Sequence, residues 1–369
     1  MKKNPAEEDA PPEPLIQEDS RRAAWRSRIT PLLNEFPTPF FLFATEPIEA
    51  GLEELTRAFE GIPITHWLSV KTQPLPALLR WWNAASRPVE VVSGWELKLA
   101  LQCGVPSHRL LVNGPAKHHW LPEFQIEGLH VHLDSPAEAG AIAPIAAKRR
   151  WKLGLRCCPM SEFDPETPRY PSQFGMSGEE LASAVRILAG HRLAVESLHF
   201  HLRTNVARAE VYRTAISEVM AMAEACGVRP AVLDIGGGMP ARHVRGMRGW
   251  NVDQNFSVSE LSAALKQALV EHPSLKEIWM ENGRWLLADS GVLAVRILDV
   301  KERRGMRSLI CDGGRTLNAM PSCWEQHDMT SIPLRTGPCV MTTVNGPTCM
   351  AFDKLARGQL PGDLAPGDV

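Results

Sequence analysis

The stretch ITHWLSVKTQP, residues 64–74, decides how the chain is read. It is a short apolar run that ends on a lysine and turns at Pro74, the pattern of a buried strand that aims an ammonium group from its end. Two readings of Lys71 stand side by side. A lone lysine ordinarily snorkels, with its stem buried and its head in water. A lysine held out of water can instead serve as a Schiff-base nucleophile.

Seven more runs of the same kind follow: RPVEVVS (87–93), RLLVNGP (109–115), GLHVHLDS (128–135), WKLGLRC (151–157), LAVESLHFHL (193–202), AVLDIGG (231–237) and EIWMENG (277–283). Helical segments lie between them, among them ALLRWWNAAS, GWELKLALQCG, GEELASAVRILAG and AEVYRTAISEVMAMAEACG. The last shows apolar positions at helical spacing and ends at Cys226-Gly227, where the glycine suits a C-cap. Strands alternating with helices imply a parallel sheet, and eight such units fit a (β/α)8 TIM barrel. A doubly wound sheet is the alternative. After Ser290 the pattern changes to VLAVRILDVKERRGMRSLICDGG and VMTTVNGPTC, which read as strands of a second, antiparallel β domain.

The 369 residues are 44% hydrophobic, enough for a large core, and the net charge of −2 carries no footprint for nucleic acid or an anionic membrane. No run of eighteen apolar residues spans a bilayer, and the N-terminus lacks the apolar core of a secretory signal. Eight cysteines (103, 157, 158, 226, 311, 323, 339, 349) are scattered without a CxxC pair, which suggests free thiols in a reducing, cytoplasmic setting. Residues 1–20 are rich in proline and acid and read as a disordered tail.

A barrel of this kind carries its chemistry at the C-terminal ends of its strands. There the sequence places Lys71, Ser93, Asn113, Arg156, His199 with His201, Gly236-Gly237-Gly238, and Glu281 followed by Arg284. The glycine run with Met239-Pro240-Ala241 fits G-x-G-x-x-A literally, but no second strand supplies the acid of a dinucleotide site. A phosphate loop after the seventh strand suits it better. His199 and His201 alternate onto one face of their strand, and no third metal ligand is expected at sensible spacing. Either one could be a core histidine, or could stack on an aromatic cofactor. Glu281 could pair with Arg284 or with a protonated heterocycle nitrogen. A lysine for an aldehyde, a glycine loop for a phosphate, a histidine for a ring face and a carboxylate for a ring nitrogen together describe pyridoxal 5'-phosphate.

These residues resemble the fold type III, alanine-racemase-like, pyridoxal-phosphate-dependent amino-acid decarboxylases, which include diaminopimelate and ornithine decarboxylases. SVKTQPLPALL looks like the family's lysine strand, and VEVVSGWELKLALQCGVPSHRLLVNGPAK like the segment after it. LHFHLRTN is similar to the family's H-x-H-x-G-S element, DIGGG to its phosphate loop and ENGRWLLADSG to its E-P-G-R motif. CDGG and GPTCMAFDKLA resemble its C-terminal motifs. The resemblance runs from about residue 37 to the end of the chain, with the motifs in order. It implies Lys71 as the Schiff-base lysine and His201 on the cofactor ring. It places Thr204, Gly236, Gly237, Gly238 and Arg284 by the phosphate and Glu281 on the pyridine nitrogen. Asp312 is implied as a substrate residue. Cys349 would come from the other subunit of a homodimer with shared active sites, to protonate the quinonoid after CO₂ leaves. The glutamate at 281 implies a decarboxylase and not a racemase.

The implied organisation is a barrel over 38–288 and a β domain of 21–37 plus 289–369. Departures from the family carry expectations of their own. Arg203 stands at the motif glycine, Ser172-Gln173-Phe174-Gly175 at S-K-F-G, Asn282 at the proline of E-P-G-R, and Met350 at the acid that reads a distal amine. Arg203 and Met350 therefore point to an amino-acid substrate whose distal end is neutral or anionic, free or linked to a carrier. Family members also continue past PGDV through a strand and a tyrosine. The β domain is expected to be incomplete at the C-terminus, which keeps a decarboxylase-like binding or regulatory protein, or a truncated inactive homologue, as the rival reading.

Overall fold

The computed structural model describes residues 19–160, 172–246, 250–319, 323 and 325–369. The tail expected over 1–20 falls almost wholly outside the described residues. Eight strands close into a parallel barrel: β1 (Ile64–Ser69), β2 (Val89–Val91), β3 (Leu110–Val112), β4 (His130–Leu133), β5 (Lys152–Arg156), β6 (Val195–His199), β7 (Val232–Asp234) and β8 (Glu277–Asn282). Each pairs with the next in sequence, and β8 closes on β1 with Ile278 opposite Ile64. All eight expected runs are strands, and the (β/α)8 barrel is the fold. Lys71 lies one turn beyond its strand, in a 3-10 segment Val70–Thr72, and not on the strand itself.

The helices start where the sequence writes Ser-x-x-Glu. Ser93, Ser135, Ser177 and Ser257 each accept from the backbone N–H of the glutamate three residues on, opening Gly94–Gln102, Pro136–Arg149, Gly178–Gly190 and Val258–Glu271. At Ser177 the Glu180 carboxylate returns the bond to the serine N–H, completing a capping box. The helices bury one stripe each, such as Leu181, Ala184 and Leu188, in the same apolar core as outward-facing strand residues such as Val89, Val91, Leu110 and Val112. Helix Glu210–Ala225 ends at Cys226, and Gly227 follows with φ +69°, as a C-cap glycine should.

Alternation along the strands sends every second residue into the barrel. At the lower end Trp67, Leu111 and Trp279 form an apolar plug, with the Trp67 and Trp279 rings 4.7 Å apart and His130 edge-on to both. Above the plug the same alternation turns polar, through Ser69, Glu90, Asn113, His132, Ser197, His199, Asp234 and Glu281, all buried. A barrel core normally holds branched aliphatics there. This one holds hydrogen-bonding groups, which marks the upper half as functional.

The rest of the described chain groups as a separate β unit of 19–46, 241–254 and 288–369. Its sheet contains the expected hairpin, Ile297–Arg303 and Met306–Cys311, turning at Arg304 and Gly305 with φ 52° and 75°. Cys339–Asn345 and Lys354–Pro361 complete the sheet around Ile297, Leu309, Val344 and Leu360. It is not wholly antiparallel, because Met306–Cys311 and Cys339–Asn345 pair in parallel. The unit also differs from the expected division. Phe40–Phe43 pairs with Gly291–Ala294, and Val244–Gly246 with Glu325–His327, so strand pairing draws both segments out of the 38–288 span.

Candidate active site

The barrel mouth gathers Lys71, Glu90, Asn113, Arg156, His199, His201, the three glycines and Glu281. Lys71 is exposed by surface area, yet burial is the largest influence on its titration. Burial alone would lower its pKa, but the carboxylates of Glu90, Glu281 and Glu96 outweigh it and hold the ammonium above the ordinary lysine value. Lys71 is thus surrounded by acid, and is not the simple desolvated amine of the sequence reading.

Glu90 was missed by the sequence reading. It is fully buried on β2, accepts from the Ser69 hydroxyl at one oxygen and has no hydrogen-bond partner for Oε1 among the described residues. Burial raises its pKa to about 7, against the pull of the Lys71 charge. The signal was an acid at the inward position of the apolar run Val89-Glu90-Val91.

Glu281, at the end of β8, is 3% exposed. Burial pushes its carboxyl up, but His199, His201 and Lys71 outweigh that and keep it well below the usual range. His199 Nε2 lies 3.2 Å from Oε1, and the Asn113 amide donates to the same oxygen. His201 Nδ1 is 3.4 Å from Oε2 but also accepts from the Gly237 N–H at 3.1 Å. Nδ1 can serve only one of these partners at a time, accepting from Gly237 in one tautomer and donating to Glu281 in the other. A quarter of the His201 side chain is open to solvent, whereas His199 is buried.

The glycine run is the tightest part. Gly236 (φ +65°) and Gly238 (φ +98°) occupy backbone conformations that other residues adopt with strain. A Cβ on Gly236 would lie 2.6 Å from the Phe200 carbonyl oxygen, and one on Gly237 would lie 2.7 Å from that of Glu281. The loop is clamped by Tyr212, whose hydroxyl donates to the Gly237 carbonyl at 2.6 Å, and by Asp234, which accepts from the Gly236 N–H at 2.8 Å.

The sequence reading expected no third ligand beside the histidine pair, and here the structure differs. His199, without His201, meets His132, Asp234 and Glu281, each offering a donor atom within 4.8 Å of the others. They come from four strands, so linear spacing could not show it. Both His132 nitrogens are engaged, Nδ1 with Asn113 at 3.1 Å and Nε2 with Ser197 at 3.0 Å. His132 is thus tied through Asn113 to Glu281, whereas both His199 ring nitrogens and Asp234 Oδ2 have no hydrogen-bond partner among the described residues.

Thr204 and Arg203 lie exposed in the loop after β6, and Arg284 opens the short helix Arg284–Leu287. Arg156 stacks on Phe174, with its guanidinium 4.6 Å from the ring centre. Asn282, where the resemblance has proline, is satisfied by His66: the two side chains meet at 2.7 Å, and burial lowers His66 to about 4. The remaining expected residues belong to the β unit. Asp312 accepts from the Thr38 hydroxyl at 2.5 Å and from the Arg296 N–H at 2.7 Å. Cys349 and Met350 are exposed in the turn that ends at Asp353.

The residues fit pyridoxal phosphate on two observations: an exposed lysine beside the carboxylates of Glu90, Glu281 and Glu96, and a glycine loop that a single Cβ would break. The family model described as "Pyridoxal-dependent decarboxylase, pyridoxal binding domain" matches residues 46–288. Diaminopimelate decarboxylase of Halalkalibacterium halodurans is 28% identical over 346 residues, 88% of this chain and 78% of that protein. The chloroplastic ornithine decarboxylase of Nicotiana glauca is 26% identical over 371 residues, 94% and 81% of the two chains. Among solved structures, diaminopimelate decarboxylase from Helicobacter pylori complexed with L-lysine shares the fold with a TM-score of 0.78. It is 22% identical, with 92% of this chain and 86% of that one covered. Among the described residues, no helix is long and apolar enough to cross a membrane. The chain belongs to the pyridoxal-dependent decarboxylases of fold type III, amino-acid decarboxylases whose cofactor is pyridoxal 5'-phosphate.

Proposed function

We propose that this chain decarboxylates an amino acid whose distal end is neutral or anionic, free or carrier-linked. The observation that carries the reading is the pair of departures at the positions implied to read the substrate. Arg203 puts an exposed cation in the loop after β6, and Met350, 64% exposed, replaces an acid with a thioether. A distal ammonium would lose its counter-charge at 350 and meet a like charge at 203. A carboxylate, amide or ester would not.

In this reading Lys71 holds the cofactor covalently through Nζ. His201, which accepts from the Gly237 N–H, would stack on the ring face. Gly236, Gly237 and Gly238, with Thr204 and Arg284, receive the phosphate. Glu281, kept anionic, would pair with the ring nitrogen and favour its protonated form. When bound, pyridoxal phosphate supplies the electron sink that loss of CO₂ requires. Cys349 delivers the proton that replaces the lost carboxylate, from the partner subunit of a homodimer. Asp312 helps to hold the substrate.

The test is a CO₂-release panel on the reconstituted protein. It would compare lysine, ornithine, arginine and meso-diaminopimelate with amino acids of neutral or acidic distal group, the latter free and carrier-linked. The reading expects the second group to lead in kcat/KM. A diamino acid as best substrate would overturn it.

A further inference from the structure

The hydrogen bonds that link Ser197, His132 and Asn113 to Glu281 all run in one direction. Glu281 is anionic and can only accept, so Asn113 presents its Nδ2 to Oε1. Asn113 Oδ1 then faces His132 Nδ1 at 3.1 Å, and because that oxygen can only accept, Nδ1 must carry the proton. A neutral imidazole protonated on Nδ1 has an acceptor at Nε2, and the Ser197 hydroxyl lies 3.0 Å from it as donor. Burial pushes His132 down to about 3, so the ring is neutral at any ordinary pH. All four groups are buried.

Two further features show that the arrangement is built. Gly154 faces it from β5, where a Cβ would lie 2.1 Å from Ser197 Oγ and 2.4 Å from His132 Cδ2. The missing side chain is the room in which the serine and histidine meet. The His132 ring also stacks on His199, centroids 4.8 Å apart and planes 20° off parallel, and His199 Nε2 is the second group beside Glu281 Oε1.

We propose that Ser197, His132 and Asn113 form a one-directional hydrogen-bond relay that ends on Glu281 and fixes it as the carboxylate facing the cofactor's ring nitrogen. His132 is a positioning residue, and the proposal rests on the reading of Glu281 given above. A buried carboxylate without oriented donors takes up a proton instead. The relay supplies those donors from the side away from the cofactor.

The experiment compares wild type with His132→Leu, His132→Asn, Ser197→Ala and Glu281→Gln in the full chain. Its readouts are the cofactor dissociation constant by equilibrium dialysis of the holoprotein, the visible spectrum of the bound cofactor, and the melting temperature. His132→Leu is expected to weaken cofactor binding about tenfold, the scale of one hydrogen bond to a charged group, and to change the spectrum. His132→Asn keeps a donor near Nδ1 and should restore most of both. Ser197→Ala should fall between, and carries the test if His132→Leu does not fold. If His132→Leu and Ser197→Ala match wild type while Glu281→Gln is impaired, the relay is wrong and the reading of Glu281 stands. If Glu281→Gln also matches wild type, both fall. A lowered melting temperature with an unchanged spectrum and no rescue by His132→Asn would reduce His132 to packing and overturn the proposal.

Discussion

Asp234 and Glu281 stand on adjacent barrel strands with carboxylate oxygens within 4.8 Å, and they take opposite charge states. Burial, followed by the Glu281 charge, raises Asp234 well above the usual carboxyl range. Glu281 feels the same burial, but His199, His201 and Lys71 hold it low. Two carboxylates in one dry pocket do not both ionise, and the basic groups decide which one keeps the charge.

Asp234→Asn should therefore be a mild change, since an amide imitates the protonated acid. Cofactor binding should stay within about threefold of wild type, a difference under about 1 kcal/mol. The pH dependence has a definite sign. An acid whose folded pKa is raised contributes stability that is present below its unfolded value of 3.8 and is lost as pH rises toward the folded value. Over that window the wild type loses up to about 1.4 kcal/mol per pH unit from this one proton. Melting curves from pH 5 to 8 should show Asp234→Asn gaining on wild type as pH rises. Parallel curves would contradict the assignment.

Glu90→Gln removes the carboxylate that does most to hold up the Lys71 ammonium. Burial then acts with less opposition and the amine pKa falls. In cofactor-free protein at pH 8, mass-mapped acylation of Lys71 should run severalfold faster than in wild type. An unchanged rate would mean that Glu90 does not act on Lys71.

Gly236→Ala should cost about 2–4 kcal/mol, combining a left-handed conformation with overpacking against the Phe200 carbonyl. Cofactor should be lost with it, because the same loop receives the phosphate. Denaturant melts and dialysis would read the two effects separately. A wild-type midpoint would show that the loop has slack the geometry denies.

Asp353 organises the turn that carries Cys349. Its carboxylate accepts from the Arg315 N–H at 2.6 Å, the Thr348 N–H at 3.1 Å and the Thr348 hydroxyl at 2.6 Å. A Cβ at Gly314 or Gly346 would lie 2.0 Å or 2.3 Å from it. Asp353→Ala should destabilise the β unit by about 2–3 kcal/mol. It should also change the alkylation rate of Cys349 more than that of Cys339, which is likewise exposed. Equal effects on both thiols would remove the link to the turn.

The parts legible in the sequence were those written locally. Strand runs, helix periodicity, the triple glycine and a lysine just past an apolar run each occupy a few consecutive residues, and the structure brings Lys71, His201, Gly236–Gly238 and Glu281 to one barrel mouth. The parts not legible depend on register between strands far apart in sequence. Glu90, His132, Gly154 and Asp234 look unremarked inside VEV, HVHL, KLGLR and VLD, because what each one faces is set by the closed barrel. A polar residue, or a glycine, at an inward position of an apolar strand was the available signal. Residues 241–254 were assigned to the barrel for the same reason: the partner of Val244–Gly246 lies about eighty residues further on, at Glu325–His327.

The most direct test of the central claim is borohydride reduction of the purified, cofactor-loaded protein, followed by peptide mass analysis. The account predicts a yellow protein that bleaches on reduction and carries one pyridoxyl-phosphate adduct, on Lys71. A protein that stays unlabelled after added pyridoxal phosphate, or labels at another lysine, would contradict it.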